Sequence, residues 1–306
     1  MGIESSILQS RLGRLHRAYE SGGNIFHLAS PLPWPPFADP VTVTAGTQPC
    51  LFEASVPFFG LHLLYRTAGN VYERESHDNG KTWSDPALMF TGGSRPSAAV
   101  GADGSVLRIA NVGGVVKGTL QLPGHPVIGQ VVTFQIVDPE DEFGYLDLPA
   151  WWYRVGLARE HAGMARWWMS GWQSGYDWSC DWGSSDGQTW AWGTISPQTF
   201  YAPTHVATAV RRDGTVLRVA QRQAPFPMAM IGTLEPLGWQ AGGHIFTLQD
   251  DLGVNLVPTD WPNGVAFGLS CEETGMGRWW LSVHLSGEGA VSDWFSHDGK
   301  TWTRAA

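Results

Sequence analysis

The sequence predicts an all-β repeat fold, and three observations carry that prediction. One short phrase occurs three times, as Ser76-His77-Asp78-Asn79-Gly80-Lys81-Thr82-Trp83, Ser184-Ser185-Asp186-Gly187-Gln188-Thr189-Trp190 and Ser296-His297-Asp298-Gly299-Lys300-Thr301-Trp302. The aspartates stand at 78, 186 and 298, spaced by 108 and 112 residues. The 306-residue chain holds 38 Gly and 17 Trp with only 15% charged residues, a balance that suits many turns and aromatic packing between sheets.

Each phrase is a turn with a mechanism. An Asp carboxylate bonds the backbone two residues on, Gly supplies the positive φ, and Thr-Trp opens the next strand. The phrase resembles the Asp-box, or bacterial neuraminidase repeat, carried by sialidases and by many non-catalytic β-propellers. The resemblance implies a β-propeller of five to six four-stranded blades. It also implies a structural role for Asp78, Gly80, Trp83, Asp186, Gly187, Trp190, Asp298, Gly299 and Trp302, on the face away from any active site.

A second repeat lies between the phrases. Val100-Gly101-Ala102-Asp103-Gly104-Ser105-Val106-Leu107-Arg108 matches Val210-Arg211-Arg212-Asp213-Gly214-Thr215-Val216-Leu217-Arg218, with Asp103 and Asp213 110 residues apart. The repeating unit is therefore twice the length of a four-stranded blade. Two blade types alternate: one carries the Ser-x-Asp phrase between its third and fourth strands, the other an Asp-Gly hairpin between its first and second. The predicted blades are 46–91, 92–145, 146–198, 199–255 and 256–306. Alternation such as Val71-Tyr72-Glu73-Arg74-Glu75 supports the strands.

Residues 1–45 are predicted to form an N-terminal arm or partial blade followed by a Pro-rich linker. Gly13-Arg14-Leu15 and Ser21–Leu28 echo Gly232-Thr233-Leu234 and Ala241–Leu248, which places residues 5–30 as the last two strands of a blade. The alternative is an amphipathic helix over 4–20, with Ile7, Leu8, Leu12 and Leu15 at helical spacing. A half-blade exposes strand edges, and these predict assembly with other chains through the N-terminal segment and blade edges.

The formal charge of −9 argues against nucleic acid or an anionic membrane as the partner. Cys50, Cys180 and Cys271 read as free, buried thiols. No basic segment followed by an apolar run opens the chain, so the expected location is a virion or the cytoplasm of the producing cell.

In a propeller, the loops after second strands and between blades share one face. Candidate glycan-binding residues there are Arg66, Trp172, Gln173, Tyr176, Arg222, Trp261 and His284, with Asn70 and Asn111 beside them. Asp138, Glu140, Asp141, Asp250 and Asp251 form acidic loops that offer oxygen ligands to Ca²⁺; otherwise no cofactor is expected. Sialidase chemistry requires three convergent arginines, a Tyr nucleophile with its Glu base, and an Asp acid. The Arg-Ile-Pro segment of sialidases is missing; Leu64-Tyr65-Arg66-Thr67 stands nearest. Arg108 and Arg218 repeat with the blades and therefore read as structure. The expected function is a non-catalytic binding or scaffold module of a larger assembly, a phage tail or other virion component, with host glycan as a ligand. The alternative is a sialidase-like or other exo-glycosidase.

Overall fold

The structure is a computed structural model. It describes residues 5–30, 37–54, 60–101, 103–123, 132–133, 135–137, 156–159, 167–172, 179–192, 206–222, 229–235, 246–257, 267–272, 277–285 and 291–305. All regular elements among them are strands, grouped into six sheets. The first sheet holds β1 (Ser5–Gln9), β2 (Leu15–Ser21), β3 (Asn24–Ala29) and β4 (Val41–Ala45). The second holds β5 (Thr47–Ala54), β6 (Gly60–Thr67), β7 (Asn70–Ser76) and β8 (Ala87–Phe90). The third holds β9 (Gly93–Val100), β10 (Val106–Val112), β11 (Val115–Gln121) and β12 (Val132–Thr133).

The fourth sheet begins with an outlying strand, β13 (Gln135–Val137). Its remaining strands are β14 (Gly156–Arg159), β15 (Trp167–Trp172), β16 (Ser179–Ser184) and β17 (Thr189–Trp192). The fifth holds β18 (Val206–Val210), β19 (Val216–Arg222), β20 (Ala229–Glu235) and β21 (Phe246–Thr247). The sixth again begins with an outlying strand, β22 (Gln249–Asp250), and continues with β23 (Gly268–Cys271), β24 (Trp279–Val283), β25 (Ser292–Ser296) and β26 (Thr301–Arg304).

The first strands β1, β5, β9, β14, β18 and β23 pack side by side in sequence, and β23 returns to β1. The molecule is thus an all-β propeller. Five of its sheets lie within residues 46–306, and the sixth comes from the N-terminal segment.

That sixth sheet agrees with the strands expected over residues 5–30 rather than the alternative helix over 4–20, and completes what was expected as a partial blade. Residues 5–45 supply all four strands of a blade, and residues 5–29 are its first three rather than its last two. The hairpin explains why. Ser10 N donates to Arg14 O and Gly13 N to Ser10 O, the pattern that recurs at Gly101, Gly104 and Ser105 and at Arg211, Gly214 and Thr215. Leu12, which a helix would have buried, is 77% exposed at the hairpin tip, while Ile7, Leu15, Ala18 and Ile25 alternate into the core.

Register makes the threefold repeat explicit. Counting from the hairpin glycine, Arg17, Arg108 and Arg218 are equivalent positions on the second strands of blades 1, 3 and 5. Each is buried or nearly so, and each faces the preceding blade. Arg108 donates through Nε to Glu73 Oε2 and through Nη2 to Oε1 at 2.9 Å, with Nη1 on Gln121 Oε1 at 3.0 Å. Arg17 Nη1 lies 2.6 Å from Asp293 Oδ2. Arg218 Nε donates to Ser170 Oγ at 3.2 Å, and Asp181 pairs in register with Ser170 as Asp293 does with Ser282. Arg108 and Arg218 therefore hold blade seams together, in keeping with their repeating positions.

The three Ser-x-Asp turns are built alike. Asp78 Oδ1 accepts from Lys81 N at 3.0 Å and Thr82 N at 2.9 Å, while Ser76 Oγ donates to it and accepts from Gly80 N. Asp186 accepts from Gln188 N and Thr189 N, and Asp298 from Lys300 N and Thr301 N, all at 2.7–2.8 Å. These bonds hold the Asp78 carboxyl down to about 2, Thr82 contributing most, although it is exposed. Trp190 and Trp302 are fully buried, whereas Trp83 is only half-buried.

Candidate binding rim

The second strands end on the face opposite the Ser-x-Asp turns. Measured from Leu61, Trp167 and Trp279, which pair with Ser76, Ser184 and Ser296, the residues Arg66, Trp172 and His284 fall at one equivalent position in the three turn-bearing blades. Arg66 and His284 are half-buried, and Trp172 is the last residue of β15. Measured from Arg17, Arg108 and Arg218, the other three blades place Glu20, Asn111 and Gln221 three residues on. Six second strands thus bring six polar or aromatic residues to one rim.

Arg222 ends β19 at the same rim, with only its backbone described. Gln173, Tyr176 and Trp261 lie outside the described residues, as do Asp138, Glu140 and Asp141. Asn70 holds a turn in place, with Oδ1 accepting from Gly92 N, between β8 and β9, at 2.9 Å. Asp250 does likewise: Oδ1 accepts from Leu252 N at 3.0 Å and Val254 N at 2.7 Å, beside an exposed Asp251. Among the described residues no group of three or more His, Cys, Asp or Glu is placed to hold a metal ion.

Blades 2 and 3 differ from a plain rim. Thr47 pairs with Arg66, and the next residue, Gln48, has φ +57° in a bulge of β5. Gln48 Oε1 accepts from Arg95 N at 2.7 Å, and Arg95 itself has φ +53° at the start of β9. Ser94 pairs with Asn111. Arg66, Gln48, Arg95 and Asn111 therefore form a continuous row across two blades. Two non-glycine residues side by side in the left-handed region cost on the order of 1–3 kcal/mol each, a strain that clusters at ligand clamps.

The row also holds unmet donors. Arg66 Nε and Asn111 Nδ2 are buried and have no hydrogen-bond partner among the described residues, while Asn111 Oδ1 accepts from Gly114 N at 3.1 Å. A buried donor left without an acceptor costs about 1–3 kcal/mol, which an acceptor-bearing ligand would recover. Arg95 and Gln48 were not among the sequence candidates. The available signal was a departure from the repeat, since Arg95 stands where the matching copy has Ala202.

No family model matches the chain, and no curated protein matches it in sequence. Solved structures do match in fold. A protein of unknown function from Dyadobacter fermentans superposes with a TM-score of 0.60 at 12% identity, over 96% of this chain and 94% of that one. A variant of the NanB sialidase from Streptococcus pneumoniae superposes with a TM-score of 0.64 at 8% identity, over 94% of this chain. This chain spans 65% of that sialidase, just under two thirds of its length. At such identities the likeness is one of fold: the chain is built like the propellers of sialidases.

Proposed function

We propose that this chain is a non-catalytic recognition and scaffold module of the Asp-box type, binding glycan at the rim of blades 2 and 3 within a larger assembly such as a phage tail. The observation that carries the reading is the row Arg66, Gln48, Arg95 and Asn111, with its two left-handed backbones and two unmet donors. Sugar hydroxyls and ring oxygens supply hydrogen-bond acceptors of the kind that such donors need. Arg108 is already engaged through Nε and Nη2 with Glu73 and through Nη1 with Gln121, so it is not free to join Arg66 in a carboxylate clamp.

The test is a glycan array scored for retention of the protein and for loss of terminal sugars. Retention on one glycan class, weakened roughly tenfold or more by Arg66→Ala and by Arg95→Ala, supports the reading. Release of terminal sugar by the intact chain would replace it with the exo-glycosidase reading.

A further inference from the structure

The outer strands of blades 3 and 5 do not stop at their own sheets. After β12 the chain continues as β13, which lies parallel to β17 with Gln135 opposite Thr189 and Ile136 opposite Trp190. After β21 it continues through the buried Leu248 as β22, parallel to β26, with Gln249 opposite Thr301 and Asp250 opposite Trp302. Gln249 N donates to Lys300 O at 3.1 Å. In both cases the added strand covers the Thr-Trp edge of the following blade, and Trp190 and Trp302 are fully buried.

Among the described residues, blade 2 has no such cover. The equivalent segment is β4, since Val41 pairs with His27 as Val132 does with Gly118 and Phe246 with Gly232. But β4 stays on β3 through Thr44 and Ala45 and passes into β5 through Gly46 alone, whose N donates to Gly23 O. Gly46 is hemmed in, since an added Cβ would come within 2.9 Å of Arg66 O. The chain has no length here with which to reach the edge. Thr82, Ser84, Asp85, Pro86 and Ala87 are exposed, Leu88 is 53% exposed and Val41 40% exposed. Val43 and Trp83 pack on one apolar cluster, so these surfaces are continuous across blades 1 and 2.

We propose that the Thr82–Trp83 segment, which precedes β8 and stands where the two covered blades start their outer strands, is a docking slot for an extended segment of another protein, added as a parallel fifth strand. The slot fits a segment with apolar residues around a glutamine, the pattern this chain itself supplies at 132–137. Hydrogen-bonded edges related by a two-fold axis run antiparallel, so a symmetric dimer of this chain does not reproduce the pairing. Strand addition supplies affinity through the main chain and specificity through alternate side chains. Pairing in the two covered blades extends over only three and two residues, so the isolated segment binds weakly and a partner would hold on elsewhere as well.

The test uses the full chain and a synthetic peptide with the sequence of residues 131–138 at about 1 mM, a concentration suited to weak binding. Backbone amide exchange is read at Trp83 and Trp302. The expected result is exchange at Trp83 slowed roughly tenfold with Trp302 unchanged, the effect being lost in Leu88→Lys, an exposed site where the fold tolerates charge. Unchanged exchange at Trp83 overturns the proposal, as does equal protection by a scrambled peptide. Protection of Trp83 that rises with protein concentration in the absence of peptide also overturns it, assigning the edge to a second copy.

Discussion

Arg17 on the second strand of the first blade reaches 2.6 Å to Asp293 on the third strand of the last, so the two ends of the chain meet in a buried ion pair. Ser5 Oγ donates to Ser282 O at 3.0 Å across the same seam. No strand is shared across this seam among the described residues, and closure rests on side chains and packing. Burial pushes the Asp293 carboxyl up despite Arg17 and Ser282, which work in the other direction. Removing one member of such a pair leaves a buried, uncompensated charge. Arg17→Ala is expected to cost about 3–5 kcal/mol, and Arg17→Ala with Asp293→Ala less than the sum of the single changes. Urea denaturation of the three variants measures this, and additive losses would mean that the pair does not close the ring.

His16 and His27 sit between blade 1 and the first Ser-x-Asp turn, with His16 Nδ1 3.2 Å from His27 Nε2. Burial is the main cause that lowers both, His16 to about 3 with His27 and Arg14 adding to it, and His27 to about 4 against a bond to the Gly80 backbone. Both rings are neutral in the folded chain and take up protons in the unfolded one below about 6.5. Stability is therefore full above pH 6.5 and falls as the pH drops towards 4, by up to about 1.4 kcal/mol per pH unit for each ring. Glu73 adds a second, lower window. Burial would raise it, but His62 and Arg108 hold it at about 2, so its contribution is lost as pH falls from about 4.5 to about 2. Urea midpoints at pH 7 and pH 5 should differ, and His16→Leu should remove roughly half of that difference. A flat profile between these pH values would contradict the burial of both rings.

Gly13 and Gly80 separate two costs that usually come together. Both have positive φ, +78° and +83°. An added Cβ at Gly13 meets nothing within 4 Å, whereas at Gly80 it falls 2.0 Å from His27 Cε1. That ring cannot yield, because it packs between His16 and Trp83. Gly13→Ala should cost only the left-handed backbone, about 1 kcal/mol, and Gly80→Ala about 3 kcal/mol or more. Equal losses in chemical denaturation would show that His27 moves freely.

The three Ser-x-Asp turns and the 110-residue period were legible because their chemistry is local: one carboxylate, one glycine and one strand start within eight residues. The first blade was harder to place. Its hairpin uses Arg11-Leu12-Gly13 where the other copies use Asp-Gly, so the equivalence of Arg17 to Arg108 and Arg218 emerges only from strand register. The outlying strands β13 and β22 are too short to leave a periodicity. Gln48 carries no local sign, and Arg95 shows only as a departure from the repeat, because a positive φ at a non-glycine residue is set by its surroundings in the fold rather than by the residue itself.

Arg95 gives the sharpest test of the rim. Its left-handed backbone, φ +53°, would be relaxed in glycine, and its N–H would still donate to Gln48 Oε1. Replacing an arginine by glycine in a strand ordinarily destabilises by about 1 kcal/mol or more through chain entropy and lost packing. Here the relief of strain is of similar size and opposite sign. Arg95→Gly is therefore expected to be no less stable than the parent in urea while binding glycan roughly tenfold more weakly. Stability kept and binding lost would mean that the strain is held for the ligand. A variant that is destabilised yet binds as before would show instead that Arg95 serves the packing of blade 3.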